Sequence, residues 1–145
     1  MNLIPGLESS ASALHAERVR MEVISQNIAN SNTTKTEEGG PYQRQMVKFE
    51  TMLRKSMGSN KDLPNSNLSK IEVSGITTDP RPFREVYQPG HPDADPNTGI
   101  VMFPNVNVHE EMADLITASR AYEANMSVIR TSRMMAMNTL RIGKG

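Results

Sequence analysis

The stretch VHEEMADLITASRAYEANMSVIRTSRMMAMNTLRI, Val108 to Ile142, carries an unbroken 4,3 alternation through Val108, Met112, Leu115, Ser119, Tyr122, Met126, Ile129, Arg133, Ala136 and Leu140. Positions spaced this way fall on one side of an α-helix, and a mean period of about 3.5 residues is the seam of a coiled coil. Asn107 stands three residues before Glu110, the spacing of a capping box. Glu110, Glu111 and Asp114 lie at the front and Arg133, Arg141 and Lys144 at the back, which complements the helix dipole. The pattern predicts a helix from Val108 to Ile142, about 50 Å long at a rise of about 1.5 Å per residue. A compact domain of this size needs no such rod for its own core.

Toward the other end of the chain, Leu7, Leu14, Met21 and Ile28 recur every seven residues, and Ala11, Val19 and Ile24 broaden the stripe. Pro5 suits a first helical turn and Glu8 a helix N-terminus. A helix from about Pro5 to Asn30 is expected. In SQNIANSNTT, Ser25 to Thr34, the amides Asn27, Asn30 and Asn32 fall where the seven-residue pattern stops. Asparagine tolerates the left-handed backbone conformation, so Asn30 is expected to end the helix there as a glycine does elsewhere. Asn27, one turn earlier, is placed to tie the helix end to the segment that follows; a simple capped helix end is the competing reading.

Residues 31–107 change character, with TEEGGP, KDLPNSN, DPRP and PGHPDADPNTG as turn-forming punctuation. Short strands are expected at YQRQMVKFE, KIEVSGI, FREVYQ and GIVMF, and a mobile loop at residues 56–68. The fold class that results is mainly α with a small β insert. Residues 1–30 and 108–145 form the terminal helices, paired as a coiled coil, and residues 31–107 form a central short-strand domain with long loops.

Composition narrows the function. With 37% hydrophobic residues, no Trp, three Phe and three Tyr, the aromatic mass of an ordinary core is missing, so the core is thin. Sixteen basic residues balance sixteen acidic ones, which argues against nucleic acid or an anionic membrane surface as a partner. Cysteine is absent, which excludes disulfides, thiolate metal sites and a cysteine nucleophile. The opening MNLIPGLESSASALHAERVR has neither the basic region nor the apolar run of a secretory signal, and no segment approaches the roughly 20 apolar residues of a membrane span.

The strongest metal or catalytic candidate is HPDADPNTG, which gathers His91, Asp93, Asp95 and Asn97. Asp93, Asp95 and Asn97 match the first ligand positions of an EF-hand loop, but Thr98 replaces its glycine and Pro104 its bidentate glutamate. A rigid turn built on Asx side chains and prolines is the better reading. His15, His91 and His109 have no zinc-ligand spacing, and the serines lie in no G-x-S-x-G context. No enzyme activity, cofactor or small-molecule substrate is expected. The positive signal is methionine, eleven in all, with Met112, Met126, Met134, Met135 and Met137 on the last helix. Flexible thioethers suit surfaces that pack against non-identical neighbours, although they also fill irregular cores.

Two amphipathic ends around a polar insert describe an assembly subunit, and here a family resemblance enters. ISQNIANSNTTKTEEGGPYQRQ is similar to the N-terminal signature of bacterial flagellar rod and hook proteins, and LITASRAYEANMSVIRTSRMMAMNTLRIGK resembles their C-terminal helix. The short length and VYQPGHPDADPNTGIVMFPNVNVHEEM resemble the proximal-rod members of the basal-body family. The resemblance implies a structural subunit of the flagellar basal body, in the rod that crosses the cell envelope. It implies export without a cleaved signal through the flagellar type III apparatus, and partners that are other rod subunits and further copies of the chain. Its interface would set Leu7, Leu14, Met21 and Ile28 against Leu115, Tyr122, Met126, Ile129 and Leu140, with Asn27, Ala29 and Asn30 at the junction between helix and insert. Another short rod-family subunit is the nearest alternative; a loop-based calcium module or a hydrolase stands further off.

Overall fold

Helix α1 runs Pro5–Ala29 and helix α2 runs Val108–Ile142, with four strands among the described residues between them: β1 (Gln45–Leu53), β2 (Ser69–Thr78), β3 (Arg84–Tyr87) and β4 (Ile100–Phe103). The computed structural model describes residues 5–53 and 69–143, with side chains described for residues 7–50 and 71–143. The loop expected at residues 56–68 lies outside the described residues. The mainly helical fold with a small β insert is the one the periodicity predicts, and the insert consists of two separate antiparallel hairpins, β1–β2 and β3–β4.

Both helix starts and stops have local causes. Asn107 caps α2 from an extended conformation, its side chain accepting a bond from the His109 amide while its own amide donates to Glu110 Oε1 at 3.2 Å. Asn107 and Glu110 thus meet at the spacing of a capping box, but side chain to side chain, and the capped backbone N–H is that of the second helical residue. At the other boundary the expectation fails in detail. Asn30 is not left-handed, since no described residue other than glycine has a positive φ. Instead the Asn30 backbone N–H and side-chain amide both donate to the Gln26 carbonyl, at 3.0 and 2.9 Å, and Asn30 Oδ1 accepts from Thr33 Oγ1. The side chain adds a second bond to a carbonyl that already accepts the last helical one, and the Ser31 N–H tightens the end by bonding the Ile28 carbonyl at 3.2 Å, with no left-handed residue.

α1 and α2 run antiparallel: Asn27 near the end of α1 bonds Glu111 near the start of α2, and Arg20 reaches Asp114 at 3.6 Å. The less exposed side of α2 follows Val108, Glu111, Leu115, Ala118, Tyr122, Asn125, Ile129, Ser132 and Ala136, with Ser119 at its margin. This stripe shares Val108, Leu115, Tyr122, Ile129 and Ala136 with the seam read from sequence but is shifted in its other positions. Met112 and Met126 lie outside it, 49% and 42% exposed, while Leu140, 69% exposed, continues its line beyond the described start of α1. The physical reason is size: Ala118 on α2 and Ala16 and Ser12 on α1 are buried, and small side chains let two helices approach. On α1 the buried line is Ser12, Ala16, Val23, Ile24 and Asn27, while Leu7, Leu14, Met21 and Ile28 form a half-buried column on another side of the helix.

The β1–β2 hairpin lies lengthwise on α1, from Gln45 beside Asn27 to Ile71, whose amide donates to Ser12 Oγ at 3.4 Å. Along β2, Ile71, Val73, Gly75 and Thr77 are half-buried, and Glu72, Ser74, Ile76 and Thr78 face solvent, the two-residue period of a strand with one covered side. A bulge between Lys48 and Phe49 leaves Ser74 unpaired in the ladder, and its hydroxyl donates to Glu50. The buried hydrophobic side chains among the described residues are Ala16, Val23, Ile24, Val101 and Ala118. The core is thin, and no described helix is long and apolar enough to cross a membrane.

Candidate functional site: a polar clamp at the helix junction

Where α1 ends, β1 begins and α2 begins, the structure places a knot of buried polar groups. At its centre Asn27 is 1% exposed and all four hydrogen-bonding positions of its amide are filled. Nδ2 donates to the Gln45 carbonyl at 2.9 Å and to Glu111 Oε2 at 3.0 Å; Oδ1 accepts from the Gln45 amide at 2.9 Å and from the Tyr42 hydroxyl at 3.0 Å. The paired bonds to Gln45 reproduce what a neighbouring strand would offer, so α1 extends the hairpin's ladder through one side chain.

Glu111 is fully enclosed, and both of its oxygens are engaged: Oε2 by Asn27, Oε1 by Arg44 Nε at 2.6 Å. Its place in the first turns of α2 adds a favourable field from the helix N-terminus. Arg44 also meets Asp79 at 3.2 Å and Asp114 at 3.7 Å. Asp79 in turn accepts from the Arg81 guanidinium at 2.8 Å and the Arg81 backbone N–H at 3.0 Å. Asn105 closes the circuit. Its Oδ1 accepts from the Arg44 amide at 2.8 Å, while its Nδ2 donates to the carbonyls of Asp79 and Arg81, which ties the segment after β4 to the segment after β2.

The electrostatics follow from these contacts. Burial pushes the Asp79 carboxyl upward, but hydrogen bonds from Arg81 and Arg44 outweigh it and hold Asp79 below the usual aspartate range. Burial works against the charged Arg44, yet its bonds to Glu111 and Asp79 raise its pKa further. The Tyr42 hydroxyl is pushed up by burial and by the Glu111 charge, which keeps it a donor to Asn27. Charges are thus paired and hydrogen-bonded at the junction, an arrangement whose chemistry is fixation: removing one partner strands another in a dry site.

The residues singled out from the sequence are distributed as follows. Asn27 sits at the clamp's centre, Ala29 is the exposed last residue of α1, and Asn30 is half-buried in the helix stop just described. Leu115, Tyr122 and Ile129 are half-buried on the α1-facing side of α2, whereas Met126 and Leu140 are exposed. Residues of the HPDADPNTG loop are engaged in turn structure: Asp95 Oδ1 accepts from the Asn97 amide, Asp93 Oδ2 accepts from Thr34 Oγ1 at 2.7 Å, and His91 Nδ1 accepts from the Asp93 amide. Among the described residues no group of three or more His, Cys, Asp or Glu side chains is arranged to hold a metal ion.

Sequence reading missed Tyr42, Arg44, Asp79, Asn105 and the second role of Glu111. One signal was available. Glu111 falls between Val108 and Leu115 on a helical stripe, where a charged side chain is buried only with a dedicated partner.

Residues 98–142 match the family described as flagellar basal body rod FlgEFG protein C-terminal, and residues 7–35 match flagella basal body rod protein. The flagellar basal-body rod protein FlgC of Borreliella burgdorferi is 39% identical over 152 residues, spanning 100% of both chains. FlgC of Bacillus subtilis is 39% identical over 155 residues, 99% of this chain and 100% of that one. FlgC of Salmonella typhimurium is 33% identical over 144 residues, again 99% and 100%. The clamp residues lie between and within the two matched segments, and with identity of this extent over the full length the chain belongs to the FlgC family of flagellar basal-body rod proteins.

Proposed function

We propose that this chain is a structural subunit of the flagellar basal-body rod, in its proximal part, and that it polymerises through its terminal helices into the shaft that carries torque from motor to hook. Beyond family membership, one surface feature carries the reading. α2 presents Met112, Ile116, Met126, Val128, Met134, Met135, Met137, Leu140 and Ile142 to solvent, all more than 40% exposed. At about 3.6 residues per turn they fall on more than one side of the helix, with Val128, Met135 and Ile142 on a column apart from Met112, Ile116, Met126, Met134 and Met137, and exposed apolar surface of this extent on a single chain calls for neighbours.

The geometry gives this surface a direction. With Asn27 level with Glu111, antiparallel pairing sets Pro5 level with about residue 133, so the last turns of α2 stand roughly 14 Å past the described start of α1. A projecting end meets a different surface on its neighbour, and such head-to-tail contacts build open helical assemblies. The proposed contacts therefore fall into two groups. Leu7, Leu14, Met21 and Ile28 with Leu115, Tyr122 and Ile129 serve the helix pair and its margins; Met126 and Leu140 serve the neighbouring subunit. Delivery through the flagellar type III export apparatus belongs to the same reading, as does a role in building and not in catalysis.

The test is complementation of a strain lacking this subunit with Leu140→Asp and Ile116→Asp. Both variants should keep the wild-type melting temperature, because neither side chain is buried in the single chain, and both should fail to restore swimming and isolable basal bodies. Normal basal bodies from both variants would refute assembly through this surface. His91→Ala and Asp93→Ala should swim; their failure with intact basal bodies would instead direct attention to the loop.

A further inference from the structure

We infer that the exposed methionines of α2 are a modification site, oxidised reversibly to the sulfoxide before assembly, and that oxidation withholds the subunit from the rod. The inference rests on the proposed contact role of that surface but adds a chemistry to it. Met135, Met137 and Met134 are 61%, 56% and 53% exposed, and Met112 and Met126 follow at 49% and 42%. Met21 and Met46, by contrast, are half-buried on α1 and β1. Between residues 124 and 145 the sequence has no Asp or Glu, while Arg130, Arg133 and Arg141 flank Met126, Met134, Met135 and Met137, so anionic hypochlorite meets no repulsion there and neutral peroxide is limited by exposure alone.

The step needs a two-electron oxygen donor, a peroxide or hypochlorite. The sulfur lone pair attacks the peroxide oxygen, the O–O bond breaks, and the departing hydroxide takes the remaining proton to leave as water. Sulfur is oxidised by two electrons and the peroxide is reduced. The product is polar and stiffer than the thioether, which removes the property that suits methionine to an adaptable apolar contact, and dedicated reductases reverse it. Met102 supplies an internal comparison: it is 49% exposed, like Met112, but sits on β4, away from α2.

Purified full-length chain treated with dilute hydrogen peroxide, with each methionine followed by peptide mass spectrometry, should oxidise Met135, Met137 and Met134 several-fold faster than Met21 and Met46. Cells lacking the subunit are then complemented with wild type, with Met102→Leu, or with the joint Met→Leu replacement at 112, 126, 134, 135 and 137, and pulsed with peroxide during flagellar synthesis. Each strain is read against its own unpulsed culture, because the replaced methionines belong to the proposed contact surface: wild type and Met102→Leu should lose basal bodies several-fold, overproduced methionine sulfoxide reductase should restore them, and the joint replacement should lose none relative to its unpulsed level, the reductase arm deciding alone where that variant does not assemble. Equal losses with the joint replacement, no rescue by the reductase, or oxidation of Met21 and Met46 at the rate of Met135 would each overturn the inference. Should Leu140→Asp assemble normally while the oxidation order holds, the contact reading fails and the chemistry stands.

Discussion

Asn27 is the residue on which three elements depend. An amide is the one side-chain group that offers two donors and two acceptor positions in a plane, and the site uses all of them. Asn27→Ala should therefore strand Glu111 and both backbone groups of Gln45, at a cost of about 3 kcal/mol. Asn27→Asp should be worse despite its shape, because a carboxylate cannot donate to Glu111 Oε2 at 3.0 Å and adds like charge beside it. Urea unfolding of the three proteins checks this order, and an aspartate variant as stable as wild type would sink the account. Asn30 works differently. Its backbone is not left-handed, so Asn30→Gly should gain nothing from glycine's freedom and should lose the bonds to Gln26 and Thr33. Asn30→Gly should melt somewhat below Asn30→Ala, since at a negative φ glycine only adds unfolded-chain entropy; a Gly variant clearly more stable than Ala would restore the left-handed helix end. Among the described residues Gly39, Gly40 and Gly99 have positive φ, and at Gly99, with φ +66°, an added Cβ would also lie 2.9 Å from Tyr87 Cε2. Gly99→Ala should disturb the β3–β4 hairpin, visible as lost amide protection at Gln88, whose N–H bonds the Gly99 carbonyl.

At the scale of elements, α2 carries two stripes that share one column of side chains. The stripe facing α1 includes Glu111, Ala118, Asn125 and Ser132, and the outward one includes Met112 and Met126. Small residues decide which one the partner helix takes. Ala118 is fully buried, so Ala118→Leu should force the helices apart and cost about 1–3 kcal/mol, while Leu at neighbouring exposed Thr117 should be nearly neutral. Thermal melts of the two variants make the comparison, and equal stability would mean that α2 meets α1 through another face. The same stripes explain what was legible beforehand. Helix limits and strand positions were readable because capping residues, turn residues and period act within a few neighbours. The pairing side was not, because apolar count favours Met112 and Met126 over Glu111 and Asn125. Burial of Glu111 depends on Arg44, 67 positions away in the chain. A first-turn glutamate reads as a dipole partner until the arginine that meets it is known.

For the whole molecule, a thin apolar core means that the polar clamp carries an unusual share of the specificity that joins hairpins to helices, and this makes the fold sensitive to acid in a definable way. Asp79 has a folded-state pKa held below its unfolded value by Arg81 and Arg44. The unfolded chain therefore binds the proton more readily, and the stability contributed by this carboxylate is fully present above the unfolded value, about pH 4. It is lost as pH falls from there through the folded-state pKa. Asp79→Asn removes the titrating group while leaving a side chain of the same shape. It should lower stability at pH 7, since the Arg44 and Arg81 guanidinium groups lose their charged acceptor, and it should flatten the dependence on pH below about 4.5. Urea midpoints measured from pH 7 down to pH 3 for wild type and Asp79→Asn test both statements together. Two curves separated by a constant offset across the whole range would mean that Asp79 does not titrate differently in the folded chain, and the acid sensitivity would then have to come from other carboxylates.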